Sequence, residues 1–347
     1  MRTRRIARIF LLVLIVCSPS LASDEEVEIL LSDLTSLQLE LGGADHYYWI
    51  TPEMGRVVIN KQCVSSDRDC DHSVLAVVGE SGRQVFEHAP ALDIPELSGE
   101  RIYDATLRTP DTLVLSAYLS ERGRILAEYD VGSGDLLRVV STDPISCWDL
   151  HGDEDGTLWC LGADAAKIDD DQDFDLVHRF DEAGRVLGSA LARSEFPQTI
   201  HPSGFKTGEH GHFLPGTGTV RLWLPEPGEL ISFSSDGAVQ DRLTLPTVEG
   251  LVKAKLAKAP DNEVFAMLTV ATYADDPQTR TQALYRLAPD GGSWIPLEGA
   301  PAQIPLRFAL VGADSSGLIL LDRRSTTLVW YPVTMEVAAD NQTIPPP

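Results

Sequence analysis

The segment IDDDQDFDL places five carboxylates, Asp169, Asp170, Asp171, Asp173 and Asp175, within seven residues. Like charges this dense repel one another unless a cation or an arginine compensates. Calcium is the cation that suits them, since it gathers roughly six to eight oxygen ligands. Asp171, Asp173, Asp175 and Glu182 even fall at positions 1, 3, 5 and 12 of an EF-hand loop. Leu176 stands where that loop turns on a glycine, however, so the EF-hand is excluded. Two readings stay open: a looser calcium site on Asp169, Asp171, Asp173 and Asp175, or a solvated acidic loop. A second group is His201, Glu209, His210 and His212. In extended chain His210 and His212 point the same way, a spacing transition metals use, although turn and surface histidines are commoner.

Cys63, Cys70, Cys147 and Cys160 show no C-x-x-C spacing, so a zinc site is not indicated. Cys63 and Cys70 flank the polar stretch VSSDRD and are expected to bridge one loop. Cys147 and Cys160 flank a tight turn and are expected to join neighbouring strands. For nucleophilic or phosphate chemistry the chain offers neither G-x-S-x-G nor the G-x-x-x-x-G-K loop. Trp49, Trp148, Trp159, Trp223, Trp294 and Trp330 read as packing residues rather than as a platform for stacking sugars.

The elements that must position these residues repeat. The segments 74–86, 125–140, 176–191, 230–245 and 283–297 each pair an apolar run, a turn and a second apolar run. Their turn glycines, Gly82, Gly134, Gly184, Gly237 and Gly291, are separated by 52, 50, 53 and 54 residues. A sixth copy, TLVWYPVTMEV at 327–337, carries Pro332 in place of the glycine. A second hairpin precedes each of these, at 46–59, 107–118, 147–163, 212–224, 258–270 and 308–321. Apolar residues come in short blocks or alternate, and turn residues interrupt them too often for helices. Two hairpins make four antiparallel strands in about fifty residues, the size of a propeller blade. Such a blade cannot cover both of its faces alone, and stacking around an axis covers them. The expected fold is therefore all-β, a six-bladed β-propeller of four-stranded antiparallel blades.

The turns in DEDGTLWCL, DSSGLILL and PDNEVFAML resemble six-bladed propellers of the NHL and SMP-30/gluconolactonase-like superfamily. The resemblance spans nearly all of the chain after its leader and implies architecture. It leaves activity open, because the fold hosts lactonases, lyases and binding modules. The metal-dependent lactonases set a Glu, an Asn and an Asp around the central channel. Asn60, Asn262 and Asn341 occupy no equivalent position, and the histidine pair of propeller lyases has no match either.

Residues 1–22 read as a cleaved signal peptide, with Arg2, Arg4, Arg5 and Arg8 before the apolar run 9–16 and small residues at Ser20 and Ala22. A bacterial lipoprotein site at Cys17 is disfavoured by the bulk of Val16. The apolar run is too short to span a bilayer, so a periplasmic or secreted protein without a membrane span is expected. Residues 23–43 form an N-terminal segment, 44–340 the propeller and 341–347 a tail. TSLQLEL at 35–41 is expected to complete the last blade, against a competing helical reading. The formal charge of −24 argues against nucleic acid as a partner. The long connections 61–73, 164–175, 192–207, 246–258 and 271–282 are expected on one face, where binding usually lies. The leading expectation is a non-catalytic propeller that binds a protein or small molecule there. A metal-dependent hydrolase or lactonase working in the channel, and a subunit of an envelope assembly, are the alternatives.

Overall fold

Strand order shows how the chain closes on itself. The structure is a computed structural model describing residues 36–38, 46–63, 73–79, 84–98, 100, 102–169, 172–196 and 211–333, apart from 217, 226, 274–276 and 326. After β1 (Ser36–Gln38), blade 1 comprises β2 (His46–Glu53), β3 (Arg56–Cys63), β4 (Val74–Val78) and β5 (Gln84–His88). Blade 2 comprises β6 (Ile102–Thr109), β7 (Thr112–Leu119), β8 (Gly123–Asp130) and β9 (Leu136–Ser141). Blade 3 follows with β10 (Ile145–Gly152), β11 (Leu158–Asp164), a short helix α1 (Ala165–Asp169), β12 (Asp175–Phe180) and β13 (Val186–Ala192). Blade 4 is β14 (His212–Phe213), β15 (Val220–Leu224), β16 (Glu229–Phe233) and β17 (Val239–Thr244). Blade 5 is β18 (Leu251–Lys258), β19 (Val264–Ala271), β20 (Arg280–Leu287) and β21 (Trp294–Pro296). Blade 6 has β22 (Phe308–Asp314), β23 (Gly317–Asp322) and β24 (Thr327–Tyr331), and its fourth strand is β1. Ser36, Leu37 and Gln38 pair antiparallel with Val329, Leu328 and Thr327. A strand from the start of the chain thus completes the last blade, and the molecule is an all-β six-bladed propeller.

The core is a ring of inter-blade layers. Among the described residues, each of the six blade interfaces holds its own apolar cluster. Period-2 alternation sends successive side chains of one strand into different clusters. Leu113 and Leu115 of β7 pack toward blade 1, while Val114 between them packs toward blade 3. Leu158 and Cys160 of β11 face blade 2, and Trp159 and Leu161 face blade 4. Both faces of a blade are dry, so its middle strands read as unbroken apolar runs. Five tryptophans serve this packing: Trp159 and Trp223 are buried between blades, and Trp148, Trp294 and Trp330 lean on inter-blade clusters, while the Trp49 side chain lies outside the described residues.

The repeated turn glycine has two causes. Gly184 takes a φ of +75°, which L side chains rarely adopt, and a Cβ there would sit 2.7 Å from Val140 Cγ1 in the preceding blade. Gly237 and Gly291 lean in the same way on Arg179 and Leu243, so these three turns seat on the blade before them, whereas Gly134 has only its φ of +82° to account for it. Arginines stitch this tight-turn side together. Arg108 Nη1 donates to the Asp181 carbonyl at 2.9 Å and Arg221 Nη1 to the Asn262 carbonyl at 2.9 Å. Arg56 and Arg179 likewise donate to the Pro110 and Ser235 carbonyls of the next blade.

Several connections differ from the sequence reading, among them 164–175, where α1 occupies Ala165–Asp169. Residues 251–258, expected within a long loop, form the inner strand β18. Its three lysines hid it, and of these Lys255 lines the central channel whereas Lys258 is buried. The connection 89–101 was not singled out, and it is ordered by two 3-10 turns, Pro90–Leu92 and Pro95–Leu97, whose Ile94 and Leu97 are buried.

Candidate functional site

Each blade's first strand pairs on one side only, so part of its backbone faces the central channel without a ladder partner. Three carboxyl groups answer this need in a stepwise pattern. Glu53 of blade 1 accepts the Leu107 amide of blade 2 at 3.0 Å. Asp104 of blade 2 accepts the Leu150 amide of blade 3 at 2.7 Å. Asp149 of blade 3 accepts the Phe213 amide of blade 4 at 2.8 Å. Register shifts between Ile102 and Asp104 and between Cys147 and Asp149 set the two aspartates beside bulges, which re-aim side chains. Glu53 also takes the Thr106 hydroxyl and lies 3.1 Å from His151 Nδ1, and all three residues are buried.

These groups line a cavity of about 350 Å³ to which every inner strand contributes. Tyr103, Trp148, His212, Lys255, Leu310 and Arg323 are among its other walls. Gly211, His212 and Tyr103 stand where connections from the preceding blades arrive, and Arg323 follows the second strand of blade 6, so the cavity's mouth is on the long-connection side. Toward the tight-turn side the inner strands close up: a Cβ on Gly152 would overlap the Leu107 carbonyl. Two further hollows, about 300 and 320 Å³, each lie between blades 4 and 5 alone.

Burial raises the Asp104 pKa from 3.8 to about 7, with the Glu53 charge adding to the effect and the Leu150 amide opposing it. Asp149 is pushed well above the usual carboxylate range by burial and by the charges of Asp104 and Glu53, against the pull of the Phe213 amide and Lys255. A carboxyl poised near neutrality can accept or release a proton in response to a nearby charge. On the tight-turn side the buried Lys258 donates to the Thr219 and Gly216 carbonyls at 2.7 and 3.3 Å, and burial lowers its pKa to about 8.

The residues singled out in the sequence are dispersed. His212 lines the cavity, whereas His201 and His210 lie outside the described residues. Asp173 accepts the Ser194 amide and hydroxyl at 2.9 and 2.6 Å, which holds its carboxyl below the usual range. Asp175 accepts the Ser189 hydroxyl. Asp169 ends α1, and Asp170 and Asp171 lie outside the described residues, as do Cys70 and the side chain of Cys63. Cys147 and Cys160 form a buried disulfide between the first two strands of blade 3, with Cα atoms 5.4 Å apart. Among the described residues no three His, Cys, Asp or Glu side chains converge as a metal-binding group. Sequence reasoning missed Glu53, Asp104, Asp149, Lys255 and Arg323. The available signal was a charged residue inside or at the end of a blade's otherwise apolar strand.

No protein-family model matches the chain, and no curated protein matches it in sequence. Solved structures show similarity of fold. An inactive virginiamycin B lyase from Staphylococcus aureus, solved with quinupristin, is 11% identical with a TM-score of 0.45, covering 85% of this chain and 98% of that one. A Bacteroides vulgatus member of the DUF4221 family is 10% identical with a TM-score of 0.48, covering 85% and 95%. A protein of unknown function from Bacteroides thetaiotaomicron is 10% identical with a TM-score of 0.46, covering 84% and 70%. The strand order itself makes the chain a six-bladed propeller, and likenesses this distant leave its role to be argued from its own residues.

Proposed function

We propose that this chain is an exported, non-catalytic propeller that binds a small cationic molecule in its central cavity, admitted from the long-connection face. The observation that carries the reading is the use of three carboxyl groups where a neutral amide could accept the same backbone N–H. Burying them costs free energy that a side-chain amide would avoid. Residues that break a local rule of stability in this way concentrate at functional sites. A bound ammonium or guanidinium compensates the cost and draws Asp104 and Asp149 into their ionised forms. The arginines of the opposite face already serve blade-to-blade contacts, which favours the long-connection face for binding. The leader pattern and the disulfide fit an oxidising compartment.

The test is a thermal-shift screen of primary amines, polyamines and guanidines beside their neutral alcohol counterparts, at pH 8 and low salt. Amines should raise the melting temperature where alcohols do not, and Asp149→Asn should remove the response. Stabilisation by alcohols or anions alone would overturn the reading. Hydrolysis of a lactone or ester that disappears in Asp104→Asn would replace it with the channel-enzyme reading.

A further inference from the structure

The chargeable residues of the cavity are sorted around the ring. Going from blade 1 to blade 6, the walls present Glu53, Asp104, Asp149, His212, Lys255 and Arg323, one from each blade. Three acids occupy one half of the channel and three bases the other. The two halves feel each other, since the Lys255 charge stabilises ionised Asp149. An acidic cluster alone would suit any cation. A cavity with opposite poles instead has a direction, and a ligand that matches it must carry both signs. Leu150, Leu256, Leu310 and Val311 add apolar wall to the same space. The volume of about 350 Å³ lies at the small end of ligand pockets, which run from roughly 300 to 1,000 Å³.

Resting on the cationic-ligand reading above, we infer that the cavity binds a small zwitterion, an amino acid or short peptide with free termini, its ammonium against Asp104 and Asp149 and its carboxylate toward Arg323 and Lys255. The apolar wall then receives a side chain. Arg323 is exposed at the mouth, where a planar guanidinium can meet a carboxylate with two parallel hydrogen bonds. The electrostatic part of this match weakens as salt rises, because the mouth is open to solvent.

The experiment is calorimetric titration of the intact mature protein with the twenty amino acids and a set of dipeptides. Each is compared with its C-terminal amide and its N-acetyl form. At least one free-terminus compound should bind about tenfold more tightly than both blocked forms, a difference of about 1.4 kcal/mol. Arg323→Gln should weaken that compound toward the affinity of its amide and leave the amide unchanged. If amides bind as tightly as their parents, or if Arg323→Gln weakens both equally, the zwitterion is refuted while the cationic reading stands. If neither the compounds nor their amides bind, the zwitterion is refuted, and the cationic reading falls with it only if the amines, polyamines and guanidines of the thermal-shift screen also fail to bind.

Discussion

Replacing Asp104 with asparagine separates the structural duty of the cavity carboxyls from their charge. Asparagine keeps a carbonyl oxygen for the Leu150 amide, which Asp104 accepts at 2.7 Å, and removes the ionisable group. The folded pKa of Asp104 is about 7 against an ordinary 3.8. A raised folded pKa means that the folded protein holds the proton longer than the unfolded chain. Between about pH 4 and pH 7 the folded state therefore binds more protons, and stability falls as pH rises through that window. Each pKa unit is worth about 1.4 kcal/mol, so the rise from 3.8 to about 7 sets a ceiling of about 4 kcal/mol, with relaxation and water entry lowering the observed value. Urea denaturation of the ligand-free protein from pH 4 to pH 8 measures it. Asp104→Asn should match the parent near pH 4 and exceed it in stability at pH 8, with part of the slope remaining through Asp149. A variant less stable than the parent at pH 8, or one with an unchanged slope, refutes the reasoning.

Ligand binding should show the complementary trend: amine affinity for the parent should strengthen from pH 5 to pH 8 in calorimetry, and Asp104→Asn should flatten the rise. Non-reducing peptide mapping should recover Cys147 linked to Cys160. Replacing both by alanine should cost about 3 kcal/mol in a denaturant titration, from the closed loop of 13 residues' separation. Gly184→Ala should lose roughly 1–2 kcal/mol through its positive φ and the push on Val140, read as a lower denaturation midpoint. If Asp169, Asp171, Asp173 and Asp175 hold calcium, saturation at a hundred times Kd should add about 2.7 kcal/mol of stability. Asn at 171, 173 and 175 should abolish that gain, and an equal response in both proteins would leave the loop as surface charge.

The fold was legible because its causes are local and repeated. Glycine turns at near-constant intervals and two-faced apolar strands such as β7 state the blade directly. TSLQLEL carried the closing strand in its alternation even though its partner, β24, lies almost three hundred residues away. The site was less legible because it is assembled by closure of the ring. Asp104 and Asp149 are single acids in unremarkable strands, and only the stacking of blades sets them beside one another. Lys253, Lys255 and Lys258 disguised β18 as loop, although each has its own place: Lys255 lines the channel, Lys253 lies at the hollow between blades 4 and 5, and Lys258 is buried against the Thr219 and Gly216 carbonyls. The conspicuous aspartates drew attention by density, yet Asp173 and Asp175 are tied to Ser194 and Ser189.

The most direct test of the central claim is a crystal structure of the protein with the tightest-binding compound from the amine and peptide titrations. The account predicts density in the channel, with the ammonium between Asp104 and Asp149 and the remainder directed toward the Arg323 mouth. Density on the tight-turn face or against the loop 164–175, with the channel holding only water, would contradict it.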